Sequence, residues 1–208
     1  MKKKLIIIGA GNVGGFLAYN MELFDLDYDL IGFLDDDPKK IGQTFFGLPV
    51  LGSISTIEKY PLGIDIVIGI ASPKIKKLIT HKLGKYNFQY PSFIANKAWV
   101  SKEVKIGQGS IIYPGVSINH HTNIGDFVIM NMNCAIGHDC TITDYCSLAP
   151  GVNLGGFTYL EPLVDMGIGS ATIQQIRIGE NAIIGGQSML IRNVPENSKI
   201  VGIPGQPL

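Results

Sequence analysis

From residue 100 to residue 195 the hydrophobic and polar positions recur with an unbroken period of six. An aliphatic residue opens each unit, as at Ile106, Ile112, Ile118, Ile124 and Met130 and onward to Leu190. Of the sixteen openers only Thr172 is not aliphatic. Four positions after each opener stands a small or β-branched residue, for example Ser110, Val116, Thr122 and Val128. A fixed hexapeptide period predicts a parallel β-helix, in which three units make one triangular coil. Residues 18 apart then stack in columns. At a coil spacing of about 4.8 Å the repeats make a little over five coils, about 25 Å tall. Ile94 and Ala98 already fit the frame, so the first coil begins there, and Gly202-Ile203-Pro204-Gly205 closes the chain.

The first ninety or so residues follow other periods. Lys4–Ile8 reads as a buried strand, followed by Gly9-Ala10-Gly11-Asn12-Val13-Gly14 and then by helical spacing over Phe16–Phe24. Asp29–Leu34 reads as a second strand ending in Asp35-Asp36-Asp37-Pro38, Ile54–Tyr60 as a short helix and Asp65–Ile70 as a third strand. Lys74–Lys85 predicts a helix with Ile75, Leu78, Ile79 and Leu83 on one side, and Asn87–Tyr90 a fourth strand. Strands alternating with helices predict a parallel α/β sheet.

Composition narrows the picture. A formal net charge of zero gives no reason to expect a nucleic-acid groove or an anionic membrane. The apolar run after Lys2-Lys3-Lys4 is only Leu5–Ile8, too short for a signal peptide, and the expected location is cytoplasmic. No stretch reaches the roughly 18 apolar residues of a membrane span. Cys134, Cys140 and Cys146 all fall on the inward fifth position of successive units, where free cysteine serves as a small buried hydrophobe rather than a metal ligand.

Gly9-x-Gly11-x-x-Gly14 lies between a strand and a helix, with Asp35 ending the next strand. This is the context of a phosphate site, where glycine lets the backbone approach and the helix N-terminus favours negative charge. Taken alone it points to NAD. The α/β part is only about half of a full dinucleotide fold, however, and no second nucleotide-binding half follows. A mononucleotide or nucleotide-sugar fits better, with Asp35 and Asp36 as acceptors for ribose or base edges.

Three histidines stand in the repeats. His120 and His138 are 18 apart, as are His121 and Asp139, so all four gather on one corner. The cluster lacks a convincing full ligand set, and no metal is expected. A general base is the more natural role, since imidazole titrates near neutrality. Spacing alone leaves His120 and His138 as equal candidates and the role of His121 open, while His81 reads as helix surface.

A short glycine-loop α/β domain followed by unbroken hexapeptides resembles the sialic acid O-acetyltransferase and nucleotide-sugar N-acetyltransferase family of hexapeptide-repeat acyltransferases. The likeness covers the whole chain. It implies a Rossmann-like nucleotide-sugar-binding domain over residues 1–92 and a left-handed β-helix acetyltransferase domain over residues 93–208. The segment Asn131-x-Asn133-Cys134-Ala135-Ile136-Gly137-His138-Asp139-Cys140 looks like the family's catalytic stretch. By that resemblance His138 is the general base and Asp139 its supporting carboxylate, where glutamate is common. The resemblance further implies acetyl-CoA as donor, lying in a groove between subunits of a homotrimer against Gly156, Ile168 and Gly186. The Gly156 backbone would meet the thioester oxygen, and Asn131 would orient the acceptor or the base. Nucleotide-sugar contacts are expected at Gly11, Asn12, Val13, Asp35, Asp36 and Gly69. Some relatives carry histidine in place of Val13, and some in place of Ser147, which is expected against the cofactor. The implied activity is N-acetylation of a nucleotide-activated amino sugar in bacterial surface-glycan biosynthesis. O-acetylation of sialic acid or a related sugar is the alternative. An NAD-dependent reductase fused to a structural β-helix and a non-catalytic sugar-nucleotide sensor are more distant readings.

Overall fold

The computed structural model describes residues 2–60 and 63–208. The chain divides into two compact units, one of residues up to Ala71 together with Ile75–Pro91, the other of Ser72–Lys74 with Ser92–Leu208. Among the described residues no helix is long and apolar enough to cross a membrane.

In the first unit β1 (Lys3–Ile8) leads into α1 (Asn12–Tyr19), followed by β2 (Tyr28–Leu34), β3 (Thr44–Phe45), β4 (Leu48–Gly52), β5 (Asp65–Ile68) and α2 (Pro73–Leu83). The sheet order is β3-β4-β2-β1-β5. β1 pairs in parallel with both β2 and β5, and its residues Leu5–Ile8 are fully buried, as a central parallel strand requires. The β3–β4 pair is antiparallel, a hairpin that extends the parallel sheet at one edge. Its two-residue first strand is too short to carry an alternating pattern, so the sequence gives no sign of it. The fourth strand expected at Asn87–Tyr90 is reduced to one bridge between Gln89 and Asp65, preceded by a short 3₁₀ turn at Gly84–Tyr86. Helix α1 begins at Asn12, inside the glycine motif rather than after it. It can do so because Gly14 has no side chain, since a Cβ there would run into the Gly9 carbonyl oxygen and the Ile7 side chain.

In the second unit the expected columns are present. Ile118 pairs with Ile136, Ile124 with Ile142 and Met130 with Leu148, each partner 18 residues on. The two-residue strands form three parallel walls, and Phe93–Ile94 joins the frame by pairing with Ile111–Ile112. The unit is a left-handed parallel β-helix. Openers from Ile112 to Leu190 are buried, whereas Val100 and Ile106 in the first coil are half-buried. The last turn is tighter than the rest, since Ile178 bridges Val194 and Ile183 pairs with Lys199, each only 16 residues on. Lys199–Val201 then folds back against Gln206–Pro207 as the closing antiparallel pair.

The fifth position has a job beyond filling space. Ser110 Oγ donates to the Gly125 carbonyl at 3.0 Å, and Thr122 Oγ1 to that of Gly137 at 3.0 Å. The thiols of Cys134, Cys140 and Cys146 reach the carbonyls of Ala149, Gly155 and Glu161 at 3.3, 3.4 and 3.2 Å. Small polar side chains therefore satisfy corner carbonyls that the strands leave unpaired. Burial pushes the Cys134 and Cys140 thiols up to about 11, so neither is a thiolate nucleophile at neutral pH.

Candidate active site

Two sites emerge, one in each unit. In the α/β unit a cavity of about 400 Å³ opens beside the glycine loop. Gly11, Asn12, Val13, Asp35, Asp36 and Gly69, the six contacts expected there, all line it. Gly11 is the residue that precedes α1, and a Cβ at Gly11 would meet nothing within 4 Å, so the loop faces open space. Lys40, Ile54, Ile75 and Leu78 line the same cavity and were not expected. Leu78 is 67% and Ile75 46% exposed, whereas Ile79 and Leu83 are buried. The apolar side of α2 thus turns from exposed Ile75 and Leu78 at the cavity to buried Leu83 in the core, with buried Ile79 also reaching the cavity.

The two aspartates differ in availability. Asp35 Oδ2 accepts from the Ala10 amide at 2.8 Å and from Lys40 Nζ at 2.9 Å, and Oδ1 from the Asp37 amide at 2.9 Å. Burial works against its charge, but Lys40 and the Asp37 and Ala10 amides outweigh it and hold its carboxyl below the usual range. Asp35 thus ties the glycine loop to the end of β2, with three of its acceptor positions already engaged within the chain. Asp36 Oδ1 accepts from the Ile54 amide at 2.8 Å, while Oδ2 is 4.0 Å from Lys82, leaving that oxygen for a ligand.

Replacing Asp35 with asparagine removes an acceptor for at least one of these donors. Asp35→Asn is expected to cost about 1–3 kcal/mol of stability at neutral pH, measured by urea unfolding. Because the folded carboxyl is held low, its contribution is complete above the ordinary carboxylate pKa of about 4 and is lost as pH falls through the folded value. The gap between wild type and variant should therefore shrink at about pH 3.

The second site is a corner of the β-helix. His120 and His138 stack with ring centroids 5.5 Å apart, in the column expected from their spacing. His138 Nδ1 lies 2.8 Å from Asp139 Oδ2, and Phe157 meets the imidazole edge-on at 5.0 Å. The hydrogen bond from His138, together with the nearby His121, His138 and His120 rings, holds the Asp139 carboxyl below its ordinary value, so it remains a carboxylate. A carboxylate on Nδ1 fixes the tautomer with Nδ1–H and leaves Nε2 as the acceptor for a proton. Nε2 faces Gly156 so closely that a Cβ at that residue would lie 2.7 Å from it. Gly156 is buried against the ring, and its amide has no acceptor among the described residues. The geometry separates the two candidate bases. His138 Nδ1 is held by Asp139, whereas His120 Nδ1 lies 3.4 Å from His121 Nδ1, and His121 Nε2 is bound to Glu103 at 2.6 Å.

Asp139 Oδ1 also lies 3.5 Å from His121 Nδ1. His120, His121 and Asp139 thus offer three donor atoms within 4.8 Å of one another, a convergence able to hold a metal ion. The third donor comes from the next coil.

The remaining expected residues lie apart. Ile168 and Gly186 share a column, with Gly186 against the Ile168 backbone, on the corner that also carries Met132. Asn131 belongs to that corner too, at the other end of the strand Ala135–Ile136 from His138, and its Oδ1 accepts from the Met132 amide at 2.8 Å. Within one chain Asn131 therefore does not orient His138. Ser147, expected against the cofactor, is only 6% exposed, on a wall where Ile111 and Ile129 are also buried, so it offers almost no surface to a ligand. Between the two corners the wall carries a groove of about 440 Å³, bordered by Trp99, Asn119, Gly137, Asn153 and Gly155. Period reading had no means to find it, since it arises from small side chains on an outward face.

Comparison with known proteins agrees with this architecture. Residues 4–83 match the PglD N-terminal domain family. The chain is 28% identical over 176 residues to GDP-perosamine N-acetyltransferase of Escherichia coli O157:H7, covering 85% of this chain and 70% of that one. It is 27% identical over 157 residues to the serine acetyltransferase of Synechococcus elongatus, of whose length it spans only 59%. The acetyltransferase domain of PglB from Neisseria gonorrhoeae FA1090, solved in complex with acetyl coenzyme A, superposes over 100% of both chains with a TM-score of 0.91 and 27% identity. With a glycine-loop α/β domain followed by an uninterrupted β-helix, this chain is similar over its whole length to hexapeptide-repeat acetyltransferases, and its residues 4–83 match the PglD N-terminal domain family.

Proposed function

We propose that the protein transfers the acetyl group of acetyl-CoA to the amino group of a nucleotide-activated amino sugar, in bacterial surface-glycan biosynthesis in the cytoplasm. The observation that carries this reading is the His138–Asp139 pair facing Gly156, in a chain whose α/β unit holds a cavity beside a glycine loop. The full-length likeness to an acetyltransferase domain solved with acetyl coenzyme A supports the donor, and the likeness to a GDP-perosamine N-acetyltransferase supports a nitrogen acceptor.

The nucleotide-sugar binds at the α/β cavity. Gly11, Asn12 and Val13 lie along its phosphates, the free oxygen of Asp36 accepts from ribose or base, and Ile54, Ile75 and Leu78 supply an apolar surface for the base. In the reaction the neutral sugar amine attacks the thioester carbonyl, and His138 Nε2 accepts the proton that the nitrogen loses. The Gly156 amide donates to the oxyanion. Collapse of the tetrahedral intermediate expels the thiolate of CoA, which recovers the proton from the imidazolium.

The two expected cofactor surfaces lie on different corners of the coil, Gly156 with His138 on one and Ile168 with Gly186 on another. A cyclic trimer joins such corners from neighbouring chains. Phe157, Ile168, Ile173 and Ile191 are 51%, 61%, 40% and 42% exposed, apolar surface that such an assembly would cover. The reading is tested by following thiol release from acetyl-CoA with UDP-, dTDP-, GDP- and CMP-linked amino sugars side by side. It expects release that depends on one of these acceptors. Release that ignores the acceptor, or binding of NAD in its place, would refute it.

A further inference from the structure

Thr172 interrupts sixteen otherwise aliphatic openers, and its surroundings give the interruption a purpose. On the same wall the Gly137 amide donates to the Leu154 carbonyl at 2.9 Å and the Ile173 amide to the Leu190 carbonyl at 3.0 Å, the ordinary rungs of the ladder. At Gly155 the rung changes partner, and the amide donates to Thr172 Oγ1 at 3.0 Å. The strand pairing registers the change, for Asn153 pairs with Ala171 but Leu154 has no paired residue there, unlike Ile136, which pairs with Leu154 one coil earlier.

Thr158 completes the arrangement. Its Oγ1 lies 2.6 Å from the Gly155 carbonyl and 3.0 Å from Thr172 Oγ1. Each hydroxyl has one proton to give. The Gly155 carbonyl can only accept, so Thr158 donates to it, and Thr172 must then donate to Thr158. The Gly155 amide, Thr172 and Thr158 form a closed ring in which every donor has an acceptor. Both hydroxyls are buried, Thr158 fully and Thr172 at 6% exposure, although Thr172 and Gly155 also border the groove on the wall. The Cys140 thiol and the Thr158 backbone amide are further donors to the same carbonyl, at 3.4 and 3.3 Å.

The consequence falls on the next amide. The Gly155 carbonyl and the Gly156 N–H belong to one planar trans peptide, in which they point in opposite directions. Holding that carbonyl into the core turns the Gly156 N–H outward, on the corner where His138 Nε2 lies. We propose that Thr172, acting with Thr158, is a positioning residue that aims the Gly156 amide at the reacting carbonyl. This rests on the acetyl-transfer reading above.

Valine at residue 172 restores the aliphatic repeat and lets the Gly155 amide return to the backbone ladder. Thr172→Val is expected to keep or raise the melting temperature and to lower kcat about 10- to 100-fold, the scale set by small misplacements in an active site. KM for the acceptor and the shape of the pH–rate profile should change little, because the cavity and His138 are untouched. Thr172→Ser keeps the hydroxyl and should retain kcat within about threefold of wild type. Thr158→Val removes the other hydroxyl and should reproduce the kcat loss. Wild-type turnover in Thr172→Val, or equal losses in the valine and serine variants, would overturn the proposal. Absence of acetyl transfer in the wild type would instead refute the functional reading itself.

Discussion

Replacing His138 with alanine is expected to lower kcat by about 10²–10⁴-fold, the usual worth of a positioned general base. Affinity for the nucleotide-sugar should be nearly unchanged, because its cavity lies in the α/β unit, beside Gly11 and Asp36. Isothermal titration with the acceptor and steady-state kinetics together separate these effects, since loss of kcat at constant affinity marks an interaction made mainly in the transition state. His120→Ala serves as the control. Its ring stacks on His138 at 5.5 Å, but its Nδ1 is directed to His121 rather than to a carboxylate. Its loss is expected to cost much less than that of His138. The reverse order of effects would move the base to His120.

The second large effect is expected at Gly156. An added methyl would lie 2.7 Å from His138 Nε2 and 2.9 Å from Cε1, so the imidazole must swing away or the turn must shift. Either response separates the base from the amide that faces it. Gly156→Ala is therefore expected to lose about 10²–10³-fold in kcat, comparable to removing an oxyanion donor. Stability is expected to fall by less than in a core cavity variant, because His138 is 43% exposed and has room to move outward. Thermal unfolding and kcat measured on the same preparation distinguish a site defect from a folding defect. Full activity in this variant would show that the Gly156 amide does not take part.

These two residues illustrate how far the chain can be read from its letters. The hexapeptide period carries the register with it, so Ile118 over Ile136 and His120 over His138 follow from counting alone. The glycine motif also transfers well, because a strand, a tight turn and a helix impose the same steric needs wherever they occur. Six expected contacts consequently meet in one cavity. Features set by tertiary surroundings were not readable. Ser147 occupies an outward strand position yet is buried. Asn131 is near His138 in sequence but stands on the neighbouring corner. Asp35 lines the expected cavity, but the three donors that also make it a structural tie come from Ala10, Asp37 and Lys40 and show only in the fold. Thr172 resembles a flaw in the repeat because its meaning depends on Gly155, a residue 17 positions earlier that only the coil brings beside it.

The division of labour between the units also has a physical basis. On the proposed reading acceptor identity is set by the α/β cavity, where Asp36, Lys40 and the exposed Ile75 and Leu78 present a mixed polar and apolar lining. On the same reading the chemistry belongs to the β-helix corner, where stacked coils hold His120 over His138 in one column. Changes in the cavity are therefore expected to alter which nucleotide-sugar is used, and changes at the corner to alter how fast acetyl is transferred.

The central claim is most directly tested by following the acetyl group itself. Acetyl-labelled acetyl-CoA is incubated with the protein and an amino sugar nucleotide, in parallel with the same nucleotide-sugar bearing hydroxyl in place of the amine. The account predicts that label appears as a stable amide on the amino sugar nucleotide, with one free thiol released per amide formed. It also predicts that the hydroxyl analogue is left unlabelled. Label recovered as free acetate, or as an ester on either sugar, would contradict it.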